Sequence, residues 1–203
     1  MARGIQKKRS ERMKQKLVTS ALQLFDDKGY DNVTVKDIAD AAGCTPGNIY
    51  HYFRSKEEIP TYATYDLDRD YLDFEERLNT DPEYADLTPF EKLLAFQEEL
   101  YTVCSNMSLG AEYYIYGLKN PESSIVKLDE HRESNGIYRR LLTACREAGE
   151  IRDDVSIDDM IKYINIINRG AVVEWILCGK TTDLVTTGTE SSKILFDSFK
   201  KIK

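Results

Sequence analysis

The apolar residues of this chain recur at helical spacing almost from end to end. Met13, Leu17, Ala21, Leu24 and Phe25 form one stripe, which predicts a helix over residues 10–28 with Ser10 as its cap and Gly29 as its stop. Val35, Ile38, Ala39 and Ala42 repeat the i, i+3, i+4, i+7 pattern behind Thr34, a good N-cap residue. Gly43 ends that helix. Thr45 followed by Pro46 restarts another within three residues, with Ile49 and Phe53 turned inward. Two short helices joined by a tight turn are the arrangement of a helix-turn-helix DNA reader.

Further along, Ser55 and the acidic pair Glu57 and Glu58 open a fourth helix, expected to run to about residue 78 with Pro60 tolerated in its first turn or so. Residues 79–87 read as a polar loop. Thr88 and Pro89 start a fifth helix carrying Phe90, Leu93, Leu94, Phe96, Leu100 and Val103. A tyrosine-dense piece at 109–118 follows. A helix starting at Pro121 then turns Ile125, Leu128, Ile137, Leu141, Leu142 and Cys145 inward and closes around Gly149.

Residues 156–178 carry two apolar stripes side by side. Met160, Ile164, Ile167, Ala171 and Trp175 make one, and Ile166, Gly170, Val173 and Leu177 the other. A helix apolar over that much of its circumference needs two partners, its own core and a second copy of the chain. The last helix, about 183–200, sets Leu184, Gly188, Ser192, Leu195, Phe196 and Phe199 along one side. No strand is needed anywhere. The expected fold is all-α: a three-helix head at residues 1–55 containing the helix-turn-helix, and a larger helical body at 56–203.

Charge sharpens this division. The 203 residues carry a net charge of -7, which looks unsuited to a DNA partner until it is divided. Residues 1–56 hold eleven Lys and Arg against six Asp and Glu, a net +5, and the remainder carries -12. A basic head on an acidic body keeps phosphate at the head. Residues 1–9, MARGIQKKR, read as a basic arm whose Lys7, Lys8 and Arg9 either lie on DNA or form a solubilising tail.

The four cysteines, 44, 104, 145 and 178, lie 60, 41 and 33 residues apart with only two histidines in the chain. That spacing makes no metal site, and the expectation is four free, mostly buried thiols. No cofactor is expected. No apolar run approaches the length of a membrane span, and the basic N-terminus leads into an amphipathic helix, so the cytoplasm is the expected compartment.

The stretch GYDNVTVKDIADAAGCTPGNIYHYFRSKEEI, residues 29–59, resembles the tetracycline-repressor-like (TetR) family of one-component transcriptional regulators. The shared pattern is glycine-aromatic, Thr-Val, Ile-Ala, Ala-Gly, Gly-x-Ile-Tyr, Tyr-Phe and Ser-Lys-Glu, and the resemblance is strong over about residues 9–60. It implies a homodimer that binds a palindromic operator in double-stranded DNA and is released by a small-molecule effector. It also implies that the last two helices pair with their symmetry mates in a four-helix bundle, through Ile166, Gly170, Val173, Leu177, Gly188, Leu195 and Phe199. Tyr50 and His51 match positions that touch DNA in the family, while Thr45, Pro46 and Gly47 match its groove-facing tip.

Affinity for DNA needs cations against phosphate, and sequence choice needs groups that reach base edges. Lys36 and Lys56 are assigned to phosphate, Lys56 also standing at a helix N-terminus. The recognition helix has no arginine, so base reading is expected to lean on Thr45, Pro46 and DNA shape.

The body's tyrosines have ring faces and polar tips suited to a ligand cavity. Tyr65, Tyr101, Tyr113, Tyr114 and Tyr138, joined by Phe74, Phe96, Cys104 and Met107, are the expected effector pocket; Asp66, Asp70, Glu98 and Glu112 would favour a cationic ligand, though in so acidic a body they are a weak signal. The effector's identity is not legible. One alternative keeps the head but makes the body a docking surface for a protein. A helical enzyme is more remote, since no Gly-rich phosphate loop, metal-ligand pair or Ser/His/Asp grouping is present.

Overall fold

A computed structural model describes residues 2–62, 64–106, 110–120 and 132–201; at 2–8, 26, 64–66 and 113 only the backbone is described. By its contacts the chain divides into two compact units, one of Met1–Tyr65 with Ser108–Ser123 and one of Asp66–Met107 with Ser124–Lys203.

The first unit is built on α1 (Ala2–Lys28), which buries Leu17, Val18, Ala21 and Phe25. Its helix begins well before Ser10. The residues read from sequence as an arm are therefore helical in their backbone from Ala2, and apart from Gly4 most of them, Ala, Arg, Gln and Lys, are good helix formers. Gly29, at φ +80°, turns the chain into a short 3-10 turn, Tyr30–Asn32. Then come α2 (Val35–Ala42) and α3 (Pro46–Tyr52), whose Ile38, Ala39, Ala42 and Ile49 close the core over α1 together with Phe53 and Ile59.

The expected fourth helix is broken in two. Lys56–Tyr62 is a 3-10 segment containing Pro60, and α4 (Thr64–Thr80) follows. Pro60 stands at the fifth position of the segment. It offers no N–H, and in an α-helix its ring would press on the carbonyl four residues back, so the tighter winding takes over. The first unit also contains α6 (Gly110–Lys119), packed against the 3-10 segment 56–62.

In the second unit α5 (Pro89–Ser105) is central, lying against α7 (Glu133–Glu147) and α9 (Leu184–Phe199), with α8 (Ile157–Leu177) packed on both α7 and α9. Thr88 and Glu91 form a reciprocal capping box at the start of α5, as Thr88-Pro89 suggests. Phe96, Leu93, Ile137, Leu142, Met160 and Phe196 are fully buried among these helices. The helix expected from Pro121 is described only from Glu133, and Ile125 and Leu128 lie outside the described residues. Among the described residues no strand forms. An isolated antiparallel bridge pairs Ile151 with Lys200.

Candidate nucleic-acid interface

Local caps fix the ends of α2 and α3 and the turn between them. Thr34 and Asp37 cap α2 reciprocally, the Thr34 N–H and hydroxyl donating to the carboxylate and the Asp37 N–H to the hydroxyl. These hydrogen bonds hold the Asp37 carboxyl below the usual carboxylate range. A group depressed on folding stabilises above its unfolded pKa, so this cap is intact at neutral pH and is lost as pH falls through the carboxylate range. Gly43, at φ +65°, ends α2 in the left-handed region, with Cys44 N–H donating to the Ala39 carbonyl. Thr45 then caps α3, its N–H and hydroxyl both donating to Asn48 Oδ1 at 3.2 and 2.7 Å.

This geometry turns one end of α3 outward. Thr45, Pro46, Gly47, Asn48, Tyr50 and His51 are all exposed while Ile49 between them is buried, and Tyr50 keeps 60% of its surface. A Cβ added at Gly47 would meet nothing closer than the Thr45 hydroxyl at 3.8 Å, so the surface is open there to a close backbone approach. Lys36 is exposed on the first turn of α2. Asn48 was not singled out from sequence, although its place at the third position after a Thr-Pro start is the signal for a cap partner. Tyr52 works inward: it is half-buried, accepts from the Ser10 hydroxyl at 3.4 Å and stacks edge-on with His51.

Lys56 is placed differently from expectation. Its ammonium donates to the carbonyls of Tyr30 and Val33 at 2.9 and 3.0 Å and lies 4.1 Å from the centre of the Tyr30 ring. The side chain ties the 30–33 turn to the segment after α3, and the helix N-terminus at which it was expected is a 3-10 turn. A phosphate contact by Lys56 requires its third N–H or release from these carbonyls.

The expected pocket residues separate into groups. Phe96, Tyr101 and Tyr138 come together, but in a closed hydrogen-bonded cluster. Tyr138 donates to Gln97 Oε1 at 2.7 Å, Gln97 Nε2 donates to Asn168 Oδ1, and Tyr101 shares hydrogen bonds with Asn168 and Ser192. Burial pushes the Tyr138 phenol well above its ordinary value and that of Tyr101 up to about 12, so both stay neutral. Cys104 sits 3.5 Å from the Tyr71 hydroxyl, and burial raises its thiol pKa, which opposes thiolate chemistry there. Phe74 packs instead on Tyr84, and Tyr114 belongs to α6 in the first unit. Met107 and the side chains of Tyr65 and Tyr113 lie outside the described residues. Gln97, Asn168 and Ser192 were missed. Gln97 beside Phe96 in an otherwise apolar stripe is the signal that could have found the cluster.

The expected dimer residues also divide. Ile166, Gly170 and Leu177 are exposed and Val173 is half-buried, and Tyr163 joins the exposed stripe of α8. On α9, however, Gly188 and Phe199 face their own core, Gly188 against the Tyr101 ring, while Leu195 is half-buried. The inward stripe of α9 is Leu184, Gly188, Ser192, Phe196 and Phe199; the exposed large residue on that helix is Ile194. All four cysteines are free thiols, but Cys178 is exposed. No described helix is long and apolar enough to cross a membrane.

A capped two-helix turn presenting α3 from a basic segment defines a helix-turn-helix DNA-binding regulator, and comparison with known proteins shows which proteins it is similar to. Residues 17–60 match the model for bacterial regulatory proteins of the tetR family. The HTH-type transcriptional repressor KstR2 of Mycolicibacterium smegmatis is 26% identical over 157 residues, covering 73% of this chain and 72% of that protein. The chain is thus similar to TetR-family transcriptional regulators in its DNA-binding segment and along most of its length. Two solved structures share its fold. FadR of Thermus thermophilus, a TetR-family repressor in complex with lauroyl-CoA, matches with a TM-score of 0.71 at 19% identity over 94% of this chain and 96% of its own. SmeT, the repressor of the Stenotrophomonas maltophilia multidrug efflux pump SmeDEF, matches with a TM-score of 0.64 at 19% identity, over 93% and 90%.

Proposed function

We propose that this protein is a cytoplasmic repressor that grips a palindromic operator as a homodimer and lets go when a small molecule enters its body. The head, within residues 1–55, would read DNA with Thr45, Pro46, Gly47, Tyr50 and His51, and Lys36 would hold phosphate. The body, residues 56–203, would supply dimerisation and the effector site. The observation that carries this reading is the outward α3 surface from Thr45 to His51, exposed on a buried Ile49 anchor. KstR2 is a repressor, and FadR carries an acyl-CoA, which supports repression and ligand response.

Two recognition helices fit successive major grooves only when about 34–36 Å apart. An effector that binds one body conformation better than another would change that separation and weaken the grip. The site for it would include the Tyr101–Tyr138 cluster, whose hydrogen bonds a ligand would have to replace.

After an operator is selected from a random DNA pool, Tyr50→Ala is expected to weaken it about 10-fold or more in a gel shift. The melting temperature should not change, because the side chain is mostly exposed. Binding equal to wild type would remove Tyr50 from the interface. Leu177 is 76% exposed, and Leu177→Asp is expected to yield monomers by light scattering, since a carboxylate in an apolar interface is uncompensated. A dimer of undiminished stability would place the interface elsewhere.

A further inference from the structure

The first unit contains a cleft of about 530 Å³ that the DNA-reading surface does not use. One wall is α6, which offers Glu112, Ile115, Tyr116 and Lys119 at positions i, i+3, i+4 and i+7, one helical face. The other wall is the 3-10 turn at Tyr30 and Asp31 with the segment after α3, including Arg54 and Glu57.

Its charges are not balanced. Three carboxylates, Asp31, Glu57 and Glu112, face two cations, Arg54 and Lys119. Glu57 is already served: the Ser55 hydroxyl bonds it, with Lys56 and Lys119 nearby, and its carboxyl is held below the usual range. Glu112 is not. Its Oε2 is enclosed by protein and has no hydrogen-bond partner among the described residues. A buried carboxylate oxygen without a donor is costly, and a cation from the cleft on the same carboxylate's other oxygen would offset that cost by neutralising the shared charge. Beside it are an apolar half-exposed side chain, Ile115, and the ring of the largely buried Tyr116. After burial, the three carboxylates also raise the Tyr30 phenol above its ordinary value, consistent with a negative field in the cleft.

The geometry points to a binding site here for a small organic cation, its ammonium on the Glu112 carboxylate and its apolar body against Ile115 and the Tyr116 ring. The site is separate from any effector site in the body, and it does not rest on the repressor reading. Both walls belong to one compact unit, so an occupant holds α6 against the turns that flank α3 and tightens the unit that reads DNA.

Isothermal titration of the full chain with phenethylamine tests this, with 2-phenylethanol as the neutral probe of similar shape. Phenethylamine is expected to bind, and the alcohol to bind at least roughly 10-fold more weakly, as loss of a hydrogen bond between charged partners implies. Glu112→Gln is expected to weaken phenethylamine by a similar factor. It should melt no lower than wild type when ligand-free, since it removes an unpartnered charge. Ile115→Trp keeps every charge but fills the cleft, and it too should weaken binding. Equal affinity for the alcohol, binding unaltered by both variants, or no heat at millimolar phenethylamine would overturn the proposal.

Discussion

Gly47→Glu is expected to abolish operator binding without unfolding the protein. Gly47 lies in the first turn of α3, exposed, with nothing closer than 3.8 Å to an added Cβ, so the free protein accommodates the side chain. Its φ is not in the left-handed region, and no backbone strain arises. In the proposed DNA complex the same position would face phosphates, and a carboxylate held there would oppose them. Juxtaposed like charges at an interface cost several kcal/mol, which lowers affinity by roughly 100-fold or more. A gel shift beside a thermal melt reads both halves of the statement. Retained affinity would show that the N-terminal turn of α3 does not enter the groove.

Gly188→Ala is the change expected to damage stability most among the glycines. A Cβ there would meet three carbons of the Tyr101 ring at 2.7–2.9 Å. That ring has little freedom to move. It is fully buried, and its hydroxyl is shared between Asn168 and Ser192. Overpacking of a filled core costs about 1–3 kcal/mol, and for a chain of this size that lowers the melting temperature by roughly 3–10 °C. An unchanged melting temperature would mean that α9 and the ring separate freely, and the hydrogen-bonded cluster would then be looser than its geometry implies.

The helix starts were legible because each is local chemistry. Thr34 before Val35, Thr45 before Pro46 and Thr88 before Pro89 announce caps within four residues, and all three form. Pro60 was misjudged because its tolerance depends on which residue begins the helix, a boundary that sequence leaves uncertain by a residue or two. The destination of Lys56 was hidden for another reason: the carbonyls it binds are more than twenty residues away, and backbone oxygens carry no sequence signature.

The tyrosines show a deeper limit. A ring with a polar tip suits a cavity wall and a satisfied buried cluster equally well, so Tyr101 and Tyr138 look the same in both roles until Gln97, Asn168 and Ser192 are brought alongside. On α9, Gly188 and Phe199 fit an intermolecular seam as well as an intramolecular one. Only the placement of α5 against that helix decides between them.

The membership of α6 in the first unit bears on how such regulators can be recombined. The boundary at Tyr65 and Asp66 falls within α4, and residues 108–123 return to the unit that carries the helix-turn-helix. The unit that carries the helix-turn-helix is thus made from two separated stretches of chain. A head transplanted from another regulator by a single splice would meet an α6 shaped for a different surface, the 3-10 segment 56–62 against which it packs in this protein. Exchange of DNA specificity would then require two grafts, or a splice confined to the exposed tip of α3.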